Sequence, residues 1–355
     1  MRTPCLFSVL AAGLAAAISF NSHAAQKDSF SVCWTIYAGW MPWEYGAAEG
    51  IVDKWAEKYG IAIDVVQLND YVESINQYSA GGFDGCTMTN MDALTIPAAG
   101  GIDSTALIIG DFSNGNDGIV IKGEKKTLGD LKGQPVNLVE LSVSHYLLAR
   151  GLEKAGLSEK DLSVVNTSDA DLVAAFATND VQAVTTWNPL LAEIQATPGV
   201  TKVFDSSQIP GEIIDLMVVN SDTLKDNPAF GKALTGAWYE IMATMSADSA
   251  AGKAAREHMA KASGTDLAGY DAQLAATKMF YSAKDAVAFA NSPKLPATMS
   301  KVASFSFSHG LLGEGAQSSD AIGMSFAKGV VTGDQGNLKL RFDPSFMQMA
   351  ADGTL

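Results

Sequence analysis

Hydrophobic and polar positions follow two alternating periods along the first third of the chain. Short apolar or β-branched runs of strand length occupy residues 31–37, 62–68, 85–89 and 104–110. Apolar side chains recur every three or four positions in the intervening segments, at residues 45–59, 71–80 and 91–99. Strands that alternate with helices in this way predict βαβ units and a mainly parallel sheet.

A second series of the same kind begins after a charged stretch at residues 122–126 and extends from residue 136 to residue 195. A further strand is predicted at residues 213–220, and the pattern is then almost wholly helical from Pro228 to Ala288. We therefore expect an α/β protein with two sheets and a helical C-terminal extension.

The first 24 residues have a separate character. Arg2 precedes an apolar run from Leu6 to Phe20, and Ser22 and Ala24 place small residues at a cleavage position. The run is too short to span a bilayer, so the pattern predicts a cleavable secretory signal peptide over residues 1–24. We expect an exported chain that begins near Ala25.

The negative charge of the chain argues against several classes of binding partner. The 355 residues have a net charge of −15, and removal of Arg2 would make it more negative. Nucleic acids and anionic lipids are poor partners for such a surface. The remaining arginines are Arg150, Arg256 and Arg341. Because arginine forks commonly hold carboxylates, sulfonates, nitrate and phosphate, this scarcity argues against an anionic ligand; backbone N–H groups leave that possibility open.

Cys33 and Cys86 both lie in predicted strands, and neither belongs to a Cys-x-x-Cys motif. They are either buried free thiols or, in an oxidising compartment, a disulfide if their strands are neighbours. The four histidines show no metal-ligand spacing, and the chain has no Gly-x-Ser-x-Gly, His-Glu-x-x-His or P-loop motif. We therefore expect no cofactor, no metal and no enzymatic activity.

In open α/β sheets, ligands collect at the turns that follow the carboxyl ends of strands. Here tryptophans or acidic residues occupy these turns, and Lys, Arg and His are absent from them, although His145 follows one closely. The turns are 39–43, 89–92, 111–117, 140–144 and 187–189.

Several stretches resemble one known family. "GGFDGCTMTNMDAL" at residues 81–94, "DLKG" at residues 130–133 and Trp-x-Pro at residues 187–189 stand out. Together with "ELSVSHYLLARGLEKAGL" they resemble the periplasmic substrate-binding proteins of ABC importers that take up nitrate, taurine and alkanesulfonates, with thiamine-pyrimidine binders as relatives. "DFSNGNDG" at residues 111–118 also resembles a subgroup associated with urea- and guanidine-utilisation enzymes.

The resemblance implies a type II periplasmic binding protein fold, in which two α/β lobes close over a ligand. On this chain, lobe one would comprise residues 26–118 and 216–355, and lobe two residues 119–215. It also implies a periplasmic monomer that delivers its solute to an ABC permease in the inner membrane. In this fold, the strands of Cys33 and Cys86 would be adjacent, which favours a disulfide.

Three tryptophans are candidate walls of the cleft. Trp40 and Trp43 lie at the first strand-to-helix turn, and Trp187 would close from the other lobe. A flat cation stacks favourably on an indole ring. The alternative for each is packing against the core or a neighbouring proline.

Polar residues at the other turns are candidate ligand contacts. Asn90 and Asp92 either cap a helix or face the cleft. Asp111 ends an apolar strand, and an unpaired carboxylate there is costly without a cationic partner. Glu140 is either a surface carboxylate or a cleft residue that could receive two parallel N–H bonds from a guanidinium. Asp215 is buried by pattern within its strand, where it either binds the ligand at the hinge or bonds to the backbone.

Ser144 completes the candidate set, as a helix cap or as a cleft hydroxyl. The expected function is capture of a small planar nitrogen-rich solute, with guanidinium first and urea second. A taurine, alkanesulfonate or nitrate binder is the alternative within the family. A pyrimidine-synthesising or hydrolytic enzyme is the alternative of another class, and a chemoreceptor partner would share the same fold.

Overall fold

The computed structural model describes residues 27–355, so the predicted signal peptide lies outside the described residues. The strands are β1 Ser29–Trp34, β2 Ala62–Gln67, β3 Gly85–Thr89, β4 Ser104–Ser113, β5 Asp117–Lys122, β6 Pro135–Leu138, β7 Ser163–Asn166, β8 Ala183–Trp187, β9 Val200–Asp205, β10 Ile214–Asn220, β11 Thr277–Met279, β12 Gly323–Ser325, β13 Val331–Thr332 and β14 Leu338–Phe342.

The α-helices are α1 Met41–Ala48, α2 Ile51–Lys58, α3 Tyr71–Ser79, α4 Asn90–Ala93, α5 Val143–Lys154, α6 Asp169–Ala177, α7 Leu190–Gln195, α8 Ser221–Asp226, α9 Pro228–Ser246, α10 Ala250–Ala262, α11 Leu267–Ala275, α12 Ala283–Ala290, α13 Lys294–Ser308 and α14 Ser345–Ala351. Over residues 27–355, each helix is too short or too polar to cross a bilayer.

Two sheets form the two lobes of the described chain. The larger sheet has the order β13-β12-β14-β4-β10-β3-β1-β2, with β11 paired to β4, and the smaller has the order β7-β6-β8-β5-β9. The two-lobed α/β fold predicted from the sequence is therefore confirmed. Both sheets are mixed rather than mainly parallel, because β10 and β5 run antiparallel to both of their neighbours.

The chain passes between the sheets twice, from β4 to β5 and from β9 to β10. Ser206 joins the two passages: its hydroxyl is 2.6 Å from that of Ser113 and accepts a hydrogen bond from the backbone N–H of Gly115 at 2.8 Å. The predicted lobe boundaries at residues 118/119 and 215/216 stay a prediction, although each lies within a few residues of a passage.

Central strands of the larger sheet are buried on both faces, which explains their continuous apolar sequence. All five residues of β3 are buried, and β10 is buried from Ile214 to Val219. The peripheral helix α2 instead buries Val52 and Ala56 and exposes Asp53 and Glu57, as its helical spacing predicts. The core therefore surrounds the central strands of this sheet, β3 and β10.

Cys33 of β1 and Cys86 of β3 form a disulfide between adjacent strands. The two residues are direct partners in the parallel register, and their Cα atoms are 4.4 Å apart. Both are fully buried. The open question of pairing is thus resolved by the strand order, which the spacing of the cysteines alone could not determine.

We expect the Cys33→Ala/Cys86→Ala double variant to lose about 2–4 kcal/mol of unfolding free energy, because the bridge restricts the unfolded chain. Alanine is used because the site is apolar and buried. Chemical denaturation monitored by tryptophan fluorescence measures the change. A midpoint equal to that of the wild type, or free thiols in the unfolded wild-type protein, would contradict the assignment.

Candidate functional site

A small cavity lies between the two lobes, at the carboxyl ends of several strands. Its enclosed volume is about 10 Å³, room for about one water molecule, within about 260 Å³ of empty space that includes open solvent. Both lobes contribute to its wall. The lining residues are Tyr37, Trp40, Tyr71, Thr89, Asp117, Val143, Trp187, Ile213 and Asp215.

Asp215 lies in the wall of the cavity beside a second carboxylate. The antiparallel register of β10 places Asp215 directly opposite Asp111 of β4 and opposite Thr89 of β3. Asp215 is 2% exposed and Asp111 is fully buried. The Tyr37 hydroxyl donates to Asp111 Oδ1 at 3.2 Å, whereas Oδ2 of each aspartate has no hydrogen-bond partner within the described residues.

Burial dominates the acid–base behaviour of this pair. Removal from water raises the pKa of Asp111 to about 7. The pKa of Asp215 is raised well above its usual range, first by burial and then by the adjacent Asp111 charge. Two carboxylates this close cannot both ionise easily without a cation, so near neutral pH the free pair retains a proton.

A third acid faces the cavity from the other lobe. Asp117 is the first residue of β5 and pairs in register with Trp187 of β8. Its backbone N–H donates to the Ser113 hydroxyl at 3.1 Å. Burial raises the pKa of Asp117 to about 7, against the opposing effect of a hydrogen bond from Ser113. The cavity therefore has carboxylates on both lobes.

Four aromatic rings surround these acids. Trp40 packs edge-on to Tyr37 with ring centroids 5.0 Å apart, and it lies 5.7 Å from Tyr71. Tyr71 in turn contacts Trp187 of the smaller lobe, with a centroid distance of 5.6 Å. Gly39 leaves room for the Asp111 carboxylate beside these rings, because a Cβ at residue 39 would lie 2.5 Å from Asp111 Oδ2.

Asp92 lies behind the aromatic residues of the cavity wall and forms a hydrogen bond with Tyr71. Its Oδ2 accepts hydrogen bonds from the hydroxyls of Tyr71 and Thr89, each at 2.7 Å. The Tyr71 oxygen also accepts the backbone N–H of Thr89 at 2.9 Å. Burial raises the pKa of Asp92 to about 6, although these hydrogen bonds oppose the shift. Asp92 thus orients Tyr71 rather than lining the cavity itself.

Four other predicted site residues lie outside the cavity lining. Trp43 is buried against Trp238, with ring centroids 5.1 Å apart. Asn90 accepts the backbone N–H of Ile214 at 2.9 Å and donates to the Glu212 carbonyl at 3.1 Å, which fixes the start of β10.

Ser144 is fully buried near the start of α5, and its Oγ has no partner among the described residues. Glu140 is exposed, and its backbone N–H donates to Asn166. The cause is the turn that follows Glu140: Leu141 has φ +63° and Ser142 caps α5. As a result, Val143 rather than Glu140 lines the cavity.

Sequence reasoning did not assign cavity positions to Tyr37, Tyr71 and Asp117. Tyr37 and Tyr71 each follow a strand, which is the position where ligands collect in such sheets, and this signal was available. Asp117 is the last residue of the predicted turn 111–117. Its place at the start of β5 depends on where the chain crosses between lobes.

Lys, Arg and His are absent from the residues that line the cavity. The described arginines are engaged elsewhere: Arg150 with Glu212, Arg256 with Asp271 and Arg341 with Asp103. The site therefore offers hydrogen-bond acceptors and aromatic faces, which suits a ligand rich in N–H donors.

A family model described as "NMT1/THI5 like" matches residues 53–248, more than half of the chain. The chain belongs to the NMT1/THI5-like family. A Brucella abortus protein named as a binding protein is 26% identical over 175 residues, covering 48% of this chain and 54% of that protein. The taurine-binding periplasmic protein of Escherichia coli is 20% identical over 223 residues, covering 62% and 67% respectively.

Solved structures support the same fold for this member of the NMT1/THI5-like family. The periplasmic aliphatic sulphonate binding protein SsuA from Escherichia coli superposes with a TM-score of 0.67 at 18% identity, covering 81% of this chain and 94% of that one. At this identity the likeness concerns the fold alone. The match also spans only about half the length of the Brucella relatives.

The buried acids predict that the ligand-free protein becomes less stable as pH rises. Carboxyl groups with a raised pKa in the folded state bind more protons there than in the unfolded chain, between the ordinary value of 3.8 and about 7. Stability therefore falls as pH increases through this window. We expect Tm to decrease from pH 5 to pH 8, as measured by calorimetry without ligand.

Asp111→Asn should reduce this slope and raise Tm at pH 8, because it removes one of the buried charges. Glu140→Gln is the matched control, since Glu140 is an exposed carboxylate outside the cavity. Equal slopes for Asp111→Asn and the wild type would contradict the assignment of the buried pair.

Proposed function

We propose that this protein is a periplasmic solute-binding protein of an ABC importer, with no reaction of its own. Its proposed ligand is a small planar nitrogen-rich solute, with guanidinium first and urea second. The observation on which this proposal depends is the pairing of Asp215 with Asp111 at a cavity whose lining contains no basic side chain. Periplasmic location and an ABC permease partner are both part of the proposal, and the location is supported by the names of relatives described as periplasmic.

Guanidinium matches this site in charge and in its planar set of N–H donors, and the enclosed volume of about 10 Å³ would have to widen to admit it. Its in-plane N–H groups would donate to Asp215 of the larger lobe and to Asp117 of the smaller lobe. Its faces would stack on Trp40 or Trp187, a contact worth ~0.5–2 kcal/mol depending on desolvation. A ligand held by carboxylates of both lobes would stabilise the closed arrangement of the lobes.

The charge of the ligand would also offset the cost of burying the acids. The effective penalty for removing an ion from water is several kcal/mol, and an uncompensated pair of like charges adds to it. A cation between Asp215 and Asp117 replaces the bound proton and restores a favourable interaction. Urea would accept the same geometry without this compensation, and we therefore rank it second.

Taurine, alkanesulfonates and nitrate are the rival ligands. The names of an Escherichia coli taurine-binding protein and of SsuA favour them. Against them, a sulfonate in this cavity would face Asp215 and Asp117, and Arg150, Arg256 and Arg341 are already paired with acids. A sulfonate commonly requires an arginine fork or several aligned N–H groups.

Isothermal titration calorimetry of the chain without residues 1–24 tests the proposal. The panel is guanidinium, urea, tetramethylammonium, taurine and nitrate at pH 8. We expect guanidinium to bind most tightly, and tetramethylammonium, which has the charge but no N–H donors, to bind at least tenfold more weakly. Micromolar binding of taurine or nitrate without guanidinium binding would overturn the proposal.

The Asp215→Asn variant should weaken guanidinium binding at least tenfold at pH 8, because a hydrogen bond to a charged group is worth about 1.5–3 kcal/mol. Glu140→Gln provides the control and should leave Kd unchanged. Unchanged affinity in Asp215→Asn, with the fold retained by circular dichroism, would exclude the electrostatic mechanism.

Guanidinium binding should also release protons. The acids with a pKa raised to about 7 are partly protonated at pH 6, and a cation must displace those protons. Affinity should therefore rise with pH through about 7, because fewer protons then have to be displaced. Calorimetry at pH 6.5 in phosphate and in bis-Tris, which differ in ionisation enthalpy, measures the release. A sulfonate bound near these acids would show the opposite pH trend.

A further inference from the structure

A second cluster of polar side chains lies outside the cavity and joins two distant parts of the chain. His145 is in the first turn of α5, Glu159 begins a short 3₁₀ helix at residues 159–161, and His309 directly follows α13. One nitrogen of each histidine and an oxygen of Glu159 lie within 4.8 Å of one another. Glu159 contacts both rings, with its Oε2 2.5 Å from His309 Nε2.

The ring of His309 is oriented as in metal-binding histidines. Its Nδ1 lies 2.8 Å from the Phe305 carbonyl and therefore donates to it, which leaves Nε2 directed at Glu159. Ligand histidines usually donate their second N–H to a carbonyl or carboxylate in this way. The ring also stacks on Phe305 with a centroid distance of 4.0 Å, so its position is fixed by packing.

His145 is held from the opposite side. Its Nδ1 accepts the backbone N–H of Leu141 at 3.1 Å, and its Nε2 contacts Glu159. An ion bound at Nε2 would shift the ring proton to Nδ1, so the Leu141 amide would have to turn away. Leu141 has φ +63°, an uncommon conformation for this residue type, and this turn is partly exposed.

The cluster is shielded but open to solvent on one side. The side chain of His145 is 5% exposed, that of His309 18% and that of Glu159 28%. In residues 27–355, the ion pairs of Glu159 are with these two histidines, and no lysine or arginine pairs with it. A divalent cation could enter without displacing an ammonium or guanidinium group.

We propose that His145, Glu159 and His309 bind one Zn²⁺ ion. Two imidazole nitrogens and one carboxylate form a common three-ligand set for zinc, with a water in the fourth position. Harder ions such as Mg²⁺ and Ca²⁺ prefer sites made of oxygen. This proposal is independent of the ligand in the cavity between the lobes.

The bound ion would link α5 of the smaller lobe to the end of α13 in the larger lobe. The helix α5 packs against strands of the smaller sheet, whereas α13 contacts α4 of the larger lobe. A second bridge lies beside the cluster, where Glu212 accepts from Arg150 of α5 at 2.8 Å and from Lys301 of α13 at 3.0 Å. Zn²⁺ would therefore raise the thermal stability of the whole chain.

The test uses the chain without residues 1–24 and without a histidine tag, after treatment with EDTA. Titration calorimetry with ZnCl₂ should give one ion per chain, and a melting curve should show a higher Tm with Zn²⁺ than with EDTA. Mg²⁺ should produce neither effect. Absence of Zn²⁺ binding up to 100-fold molar excess would overturn the proposal.

His309→Ala and Glu159→Gln should each weaken Zn²⁺ binding at least tenfold and abolish the rise in Tm. His258→Ala is the matched control, because His258 also pairs with carboxylates, those of Glu44 and Glu49, but without a second histidine. It should keep both the stoichiometry and the Tm rise. Equal Zn²⁺ affinity in His309→Ala and the wild type would place the ion elsewhere and refute the site.

Discussion

Asp215 and Asp111 face each other across β10 and β4, and both carboxylates are removed from water without a basic partner in the described chain. This like-charge pair is costly, so the surrounding structure has to hold it in place. The sheet register fixes both backbones, and Tyr37 donates to Asp111. Gly39 leaves room for the Asp111 carboxylate that a larger residue would not. The chemistry of the cavity follows from this constraint.

Burying these carboxylates lowers the stability of the ligand-free protein, and on the proposed function it provides the acceptors for the ligand. Burial raises the pKa of Asp111 and Asp117 to about 7, so the ligand-free protein holds protons that a cation would replace. A protein selected for stability alone would pair or remove such charges. Their presence on both lobes, next to Trp40 and Trp187, is consistent with capture of a cation at the moment the lobes meet.

The fold is shared with proteins named as sulfonate binders, yet the cavity wall is acidic. These two facts are compatible because a binding fold does not determine its ligand; the side chains at the strand ends do. On the proposed function, Asp215 and Asp117 are the side chains that give this cavity its preference for a cation.

The sequence by itself determined the α/β class and the alternation of strands with helices, because hydrophobic periodicity is a local property. The two lobes were an expectation from the family resemblance, and the ligand position at strand ends stays a prediction. It also identified Trp40, Trp187 and Asp215, which line the cavity.

Tertiary structure decided which residues meet. Glu140 turns outward at Leu141, Trp43 packs on Trp238, and Asp117 reaches the cavity through the crossing to β5. His145 and Glu159 meet His309, 150 residues beyond Glu159 in the chain, only because α5 and α13 pack together. Such pairings depend on strand order and helix packing, which no local pattern encodes.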